Sequence, residues 1–390
     1  MSTSHAVSEF IDHTVESLNR KHFLVVVFID LCKAFDTVNH GILLKKLAHY
    51  GVRGVANDWF RSYLEGRTQY VSILEGKSDV QEVALGVPQG SVLGPLLFLI
   101  YINDMSNSCP SLQLIHFADD TSAFISGRDL KTLENSLNQE LLNLNTWLIT
   151  NRLSLNASKS QFMIFSDSEI CADFSLKISN TPLTKTSNSK FLGITIDEKL
   201  DFKIHIEDIL SKINKVKGML WRCNNLVDKK VKRLLYQSLV FSRLSYGVIV
   251  WGKCAAHSLN KIKSLQNKIV KQIYGSYEID TYCNNRILPF EHLYEFFVLS
   301  SFYAEMYNPG IPYFSSKVQL LNFNSRYPTR FSTNKCIVPP SYVKSKCQKS
   351  YFYQAILFWN KLPLEIKNAE SIATFKRKLK LYLFNKMINV

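Results

Sequence analysis

The feature that most restricts the fold is the segment FLVVVFIDL at residues 23–31. Its β-branched and aromatic residues run on without polar alternation, so both faces need cover, which is the pattern of a buried strand. The run ends in an acid, Asp30. A second stretch, LQLIHFADDTSAFIS at 112–126, reads as a hairpin with Asp119 and Asp120 at its turn. QFMIF at 161–165 reads as another strand, TQYVSIL and VQEVAL as paired strands, and 174–197 as strand–turn–strand.

Helical periodicity fills the spaces between. Phe10, Ile11, Val15 and Leu18 share one side of a helix over 9–20. Two short helices follow at 41–52 and 56–66, each closed by glycine. The apolar run Val92–Ile102 is too short to span a bilayer and reads as a buried helix. Leu130, Leu133, Leu137, Leu141, Leu144 and Leu148 predict an amphipathic helix over 129–149. After residue 200 the pattern is helical. One stripe is Ile206, Ile209, Leu210, Ile213, Val216 and Leu220, and the next is Val231, Leu234, Leu235 and Leu239. A third, lysine-rich helix covers 259–275. Residues 308–350, with five prolines, read as an irregular boundary before a last helical stretch at 363–388.

Charge divides the chain. Residues 1–200 hold 17 Lys/Arg against 21 Asp/Glu, residues 201–275 hold 15 against 4, and residues 276–390 hold 15 against 7. A basic second half suits a polyanion partner, although a solvated basic surface has the same composition. The eight cysteines are scattered without a CxxC pair, which argues against a zinc knuckle or disulfide framework. The N-terminus has no basic and apolar leader, so the expected location is intracellular, nuclear or cytoplasmic, and not secreted, with no membrane partner.

Asp30 at a strand end and Asp119–Asp120 at a turn 89 residues on are the constellation with chemistry in it. Nucleotidyl transfer needs carboxylates from separate elements converging on two divalent metals about 3.5–4 Å apart. Taken singly, each has an ordinary alternative, because aspartate is favoured in turns for its own local hydrogen bonds.

The surrounding segments add a resemblance. IDLCKAFDTVNHGILLKKL (29–47), GVPQGSVLGPLLFLIYINDM (86–105), FADDTSAF (117–124), LSLNASKS (153–160) and SKFLGITID (189–197) occur in this order. They resemble the successive palm motifs of non-LTR retrotransposon reverse transcriptases, close to the jockey-like lineages. LDFKIHIEDILSKINKVKGMLWR (200–222), SLVFSRLSYGVIVWG (238–252) and LFWNKLPLEIKNAESIATFKRKLKLYL (357–383) resemble the regions that follow, so nearly the whole chain is covered. The resemblance implies an α+β fold: a right-hand polymerase palm with an antiparallel sheet, an α-helical thumb and a helical or irregular C-terminal region. The expected divisions are 1–199 (fingers remnant and palm), 200–275 (thumb) and 276–390.

It also implies roles. Asp30, Asp119 and Asp120 would hold two Mg2+ ions, with Mn2+ as a substitute. Phe35 would be the steric gate against a 2′-hydroxyl. Pro88, Gln89 and Gly90 would lie against template and incoming nucleotide. Lys159 would protonate the leaving pyrophosphate, and Phe191, Leu192 and Gly193 would form the primer grip. The partners implied are an RNA template, a DNA primer and deoxynucleoside triphosphates. Without the resemblance Phe35 would be a core aromatic and Lys159 a solvated surface lysine.

The family's earlier fingers motifs and its endonuclease domain are missing before Asp30, so the expectation is an N-terminally truncated copy or a partial gene model. Two functional readings compete with an RNA-directed DNA polymerase. One is a catalytically impaired remnant that retains nucleic-acid binding. The other is an RNA-dependent RNA polymerase, which Phe35 disfavours.

Overall fold

The computed structural model describes residues 2–74, 76–168, 173–178, 181–307, 318, 335–342 and 344–388. The chain divides into two compact units, one of residues 21–187 and one of residues 1–20 with 188–390. These limits differ from the regions expected at 199 and 275. The first helix, α1 (Thr3–Asn19), clusters with the C-terminal half and not with the strands that follow it.

In the 21–187 unit the run at 23–31 forms β1 (Phe23–Ile29). Leu24, Val25, Val26 and Val27 are all at most 1% exposed, as a strand covered on both faces requires. The hairpin comprises β6 (Gln113–Phe117) and β7 (Asp120–Gly127), and QFMIF becomes β8 (Gln161–Phe165). β1 pairs antiparallel with β7 on one side, from Phe23–Gly127 to Ile29–Thr121, and with β8 on the other. β6 pairs antiparallel with β7, and the short β11 (Thr184–Lys185) adds a parallel edge to β8. The order is therefore β11-β8-β1-β7-β6.

The leucine stripe forms α5 (Leu130–Thr150) as expected, with Leu133, Leu137, Leu141, Leu144 and Leu148 buried in one cluster with Val25, Val27, Ile29, Phe162 and Ile164. Burying a leucine stabilises by about 1.5–3 kcal/mol, so this stripe contributes strongly to covering one face of the sheet. The expected short helices form α2 (His40–His49) and α3 (Val55–Leu64). The apolar run forms α4 (Leu93–Ile102), but only one face is buried: Leu97, Phe98, Tyr101 and Ile102 face the core, whereas Leu96 and Leu99 are about half exposed. The 68–82 strands pair at their ends, Thr68–Glu82 and Gln69–Gln81, with a separate two-residue pair, Ser72–Lys77 and Ile73–Gly76, at the tip.

The second unit opens with a hairpin, β12 (Asn188–Phe191) and β13 (Ile194–Asp197), followed by helices. In α6 (Lys203–Arg222) the stripe is buried as expected except for Leu210, which is half-buried; α10 (Ala256–Tyr274) buries Ile262, Leu265, Ile269, Val270 and Ile273, and these two helices pack together. The next stripe is a correction. Val231 and Leu234 in α7 (Lys229–Leu235) are exposed, and α7 buries nothing. A π-helical segment, Tyr236–Phe241, follows directly. Its wider turn shifts the helical phase, so Tyr236, Val240 and Leu244 face inward instead. Buried Gln266 holds this segment, donating from Nε2 to the Tyr236 hydroxyl (2.9 Å) and to Leu288 O (3.0 Å). The last helical stretch is Leu364–Lys367 and Ile372–Ile388. Most of the irregular segment expected at 308–350, including Pro309, Pro312 and Pro328, lies outside the described residues, as do residues 179–180 within the strand–turn–strand pattern.

Candidate functional site

The sheet register decides where the three carboxylates go. Ile29 pairs with Thr121 at the end of the β1–β7 ladder. One residue beyond that pair stand Asp30 on the first strand and Asp120 on the second. Phe117 pairs with Asp120, which leaves Ala118 and Asp119 as a two-residue hairpin turn. Ala118 adopts φ +55°, a left-handed conformation that costs an alanine about 1 kcal/mol and that a tight hairpin turn demands. Asp30 is half-buried, and Asp119 and Asp120 are exposed. Although its surface is open to solvent, the Asp120 carboxyl is partly desolvated by the surrounding protein, which raises its pKa above the ordinary value, and the negative charges of Asp119 and Asp30 raise it further. The three acids thus feel one another.

Hard oxygen donors in mutual repulsion suit a divalent cation, which also draws ligands from substrate phosphates. Among the described residues no three His, Cys, Asp or Glu side chains form a ready metal cage. The chemistry of the donors fits a metal shared with substrate, not one enclosed by protein.

After Asp30 the chain turns through 31–37, with Asp36 N–H and Thr37 N–H both donating to Lys33 O. This turn is bound to the segment that carries Pro88, Gln89 and Gly90. Val87 N–H donates to Phe35 O (2.9 Å), and Gly86 N–H donates to Val38 O (2.8 Å). The Gln89 amide donates to Asp36 Oδ1 (2.7 Å), and the His40 Nε2 bonds to Gly86 O (2.8 Å). Gly86 has φ +87°, and a Cβ there would stand 2.8–3.0 Å from the Asp36 backbone, so only glycine permits this approach. Phe35 is half-buried and stacks on the buried Phe98 of α4, with centroids 4.4 Å apart and planes 30° apart. Asp36, Arg67, Glu82, Pro88 and Gln89 border an open groove of about 720 Å3. Gly90, φ +77°, lies in open space at the turn into α4.

Lys159 is exposed, in a loop whose backbone is joined to Asp30. Asn156 N–H donates to Asp30 O (2.8 Å), and Asp30 N–H donates to the Ser160 hydroxyl (3.2 Å). The structure therefore gathers Asp30, Phe35, Pro88, Gln89, Asp119, Asp120 and the Lys159 loop within the 21–187 unit. Phe191, Leu192 and Gly193 belong to the other unit. There Leu192 and Gly193 form the β12–β13 turn with φ +46° and +82°, and the Tyr246 hydroxyl donates to Leu192 O (2.7 Å).

Sequence reasoning passed over Asp36, His40, Gly86 and Ser160. All four stand inside or beside the quoted motif segments, but their partners lie 46–130 residues away and no local pattern points to them.

Comparison with known proteins bears on the family. The family model described as reverse transcriptase (RNA-dependent DNA polymerase) matches residues 2–196. The RNA-directed DNA polymerase from mobile element jockey of Drosophila melanogaster is 32% identical over 289 residues, 70% of this chain and 31% of the relative. Its counterpart from Drosophila funebris is 30% identical over 287 residues, with the same coverage. The probable RNA-directed DNA polymerase from transposon BS of Drosophila melanogaster is 29% identical over 293 residues, again 70% of this chain and 31% of the relative. The chain thus spans about a third of the length of these relatives. A solved telomerase from Candida albicans, in complex with a fragment of telomeric RNA, aligns with TM-score 0.37 and 14% identity over 73% of this chain and 53% of that one, too loose a match to carry weight. No helix among the described residues is long and apolar enough to cross a membrane. With the family model covering half its length and sharing the segments that carry the three aspartates, the chain belongs to the reverse transcriptase family, a group that uses divalent metal.

Proposed function

We propose that this chain carries the polymerase centre of a non-LTR retrotransposon reverse transcriptase, which extends a primer 3′-hydroxyl with deoxynucleotides on an RNA template. The observation that carries the reading is the register that sets Asp30 beside Asp120, the strand residue next to Asp119 in the hairpin turn. Asp30, Asp119 and Asp120 would hold Mg2+, two ions in the full site, with Mn2+ as a substitute. Bound there, the metal would supply Lewis-acid activation of the primer hydroxyl and neutralise charge on the triphosphate.

The remaining residues position substrate. Phe35, backed by Phe98, presents an aromatic wall where the sugar would lie. Gln89, held by Asp36, faces template and incoming nucleotide from the groove rim with Pro88 and Gly90. Lys159 is free to reach the leaving pyrophosphate as a proton donor, since its side chain is exposed. Phe191, Leu192 and Gly193 are the primer grip in this reading. The basic helices of 200–275 act as a thumb on the phosphates, and A-form hybrid is recognised by shape and backbone.

The test is primer extension on an RNA template with Mg2+ and deoxynucleotides, with Asp119→Asn as the blank. Extension by the wild type and not by the variant supports the reading. Binding of primer–template with equal, background extension by both would return the alternative of an impaired nucleic-acid-binding remnant.

A further inference from the structure

We infer that Ser160 is a positioning residue, whose buried hydroxyl fixes the peptide of Asp30 and ties it to the loop bearing Lys159. The inference rests on the metal-site reading above. The β1 ladder ends at Ile29, which pairs with Thr121, and at Phe28, which pairs with Gln161. Asp30 lies past both ladders, and its peptide groups are met from the 154–160 segment, which forms an isolated antiparallel bridge at Leu31–Leu155. The Asp30 N–H donates to Ser160 Oγ (3.2 Å), and its carbonyl accepts from Asn156 N–H (2.8 Å). The loop is closed on itself, because Ser160 Oγ donates to Asn156 O (2.9 Å), which also accepts the N–H groups of Lys159 and Ser160. Next along the chain, Cys32 N–H donates to Ser154 O (2.8 Å). Ser160 is fully buried, so water cannot replace its hydroxyl.

With N–H and C=O both held, the backbone torsions at Asp30 are fixed and only its two side-chain torsions remain. A carboxylate that must meet a metal within a few tenths of an ångström gains from such support. Lys159 is the neighbour of Ser160, so the same clasp sets its loop against the strand that ends in Asp30. The plainer role for Ser160 is to satisfy buried polar groups, and that role predicts lost stability with metal affinity unchanged.

Mn2+ binding to the full chain, read from the electron paramagnetic resonance signal of free ion, separates the two roles. Ser160→Ala and the near-isosteric Ser160→Cys should each weaken Mn2+ affinity about 10-fold, the lower end for outer-shell partners. Ile164→Val, a core change in the same sheet, should lower the melting temperature and leave Mn2+ affinity alone. If Ser160→Ala does not fold, Ser160→Cys decides. Wild-type Mn2+ affinity in a folded Ser160 variant overturns the inference, provided Asp119→Asn has lost binding. Should Asp30→Asn and Asp119→Asn both bind Mn2+ like the wild type, the metal-site reading itself falls, and the inference with it.

Discussion

Phe35 stacks on Phe98, so the aromatic residue of the turn after β1 is held by the first helix of the segment that follows Gln89. The stack gives Phe35 a fixed backstop, which a sugar gate needs in order to refuse one extra hydroxyl. Phe35→Ala should raise ribonucleotide incorporation relative to deoxynucleotide by about 10-fold or more, equivalent to roughly 1.4 kcal/mol of lost discrimination. Phe98→Leu, which keeps most of the volume and loses the flat support, should raise it a few-fold. Competition assays with paired nucleotides on one template measure both. Unchanged selectivity in Phe35→Ala would return that ring to the role of a core aromatic.

Gly86 and Gly90 both have positive φ, yet they should respond differently to alanine. At Gly86 the new Cβ meets the Asp36 backbone at 2.8–3.0 Å, and at Gly90 it meets nothing within 4 Å. Gly90→Ala carries only the conformational cost, about 1–2 kcal/mol. Gly86→Ala must also push apart the strands of hydrogen bonds at Phe35 and Val38, so it should cost clearly more and reduce polymerisation. Denaturant midpoints of the two variants, side by side, give the comparison. Equal midpoints would mean that the close approach at Gly86 relaxes freely.

The second unit should lose stability in acid through His205. This buried imidazole has its pKa depressed to about 4, first by burial and then by Lys212 and Lys190, against an opposing pull from Asp208. Its Nδ1 accepts the Thr195 N–H (3.4 Å), which requires the neutral ring. The unfolded chain takes up this proton near pH 6.5, while the folded chain resists until about pH 4. Stability is therefore complete above pH 6.5 and falls as pH drops towards 4, by on the order of 2–3 kcal/mol. Trp251 lies 5.7 Å from the His205 ring, so its fluorescence can follow unfolding. His205→Gln should flatten the slope between pH 6.5 and 4, and an unchanged slope would assign the acid sensitivity to other groups.

Binding of primer–template should weaken steeply with salt, since each phosphate contact releases counterions. Lys261, Lys268 and Lys271 are exposed on α10, whose apolar positions are turned to the core. Replacing Lys268 and Lys271 by glutamine should lower affinity and reduce the slope of log K against log salt by about one to two. A wild-type affinity independent of salt would argue against any phosphate-binding role for this helix.

Much of the site was legible because its signals are local. The unbroken run at 23–31 has the pattern of a covered strand and the leucines of 130–148 that of one helix face, while the acid pair marks the hairpin to within a residue: the turn is Ala118–Asp119, and Asp120 already belongs to the returning strand. Motif order then joined Asp30 to Asp119 and Asp120, although the pairing itself is a matter of register. Periodicity failed at Val231 and Leu234, which are exposed, while the buried positions begin with Tyr236 in a π-helical segment that leaves no trace in the apolar spacing.

The sequence by itself determined the strands, the carboxylates and their order, because burial and turn chemistry act over a few residues. Tertiary structure alone decided that Ser160 clasps Asp30 across 130 residues and that Asp36 holds Gln89 across 53. It also decided that α1 clusters with the far end of the chain. Such contacts form only once the sheet has brought distant segments to the same edge, where unpaired peptide groups must find partners that no local pattern specifies.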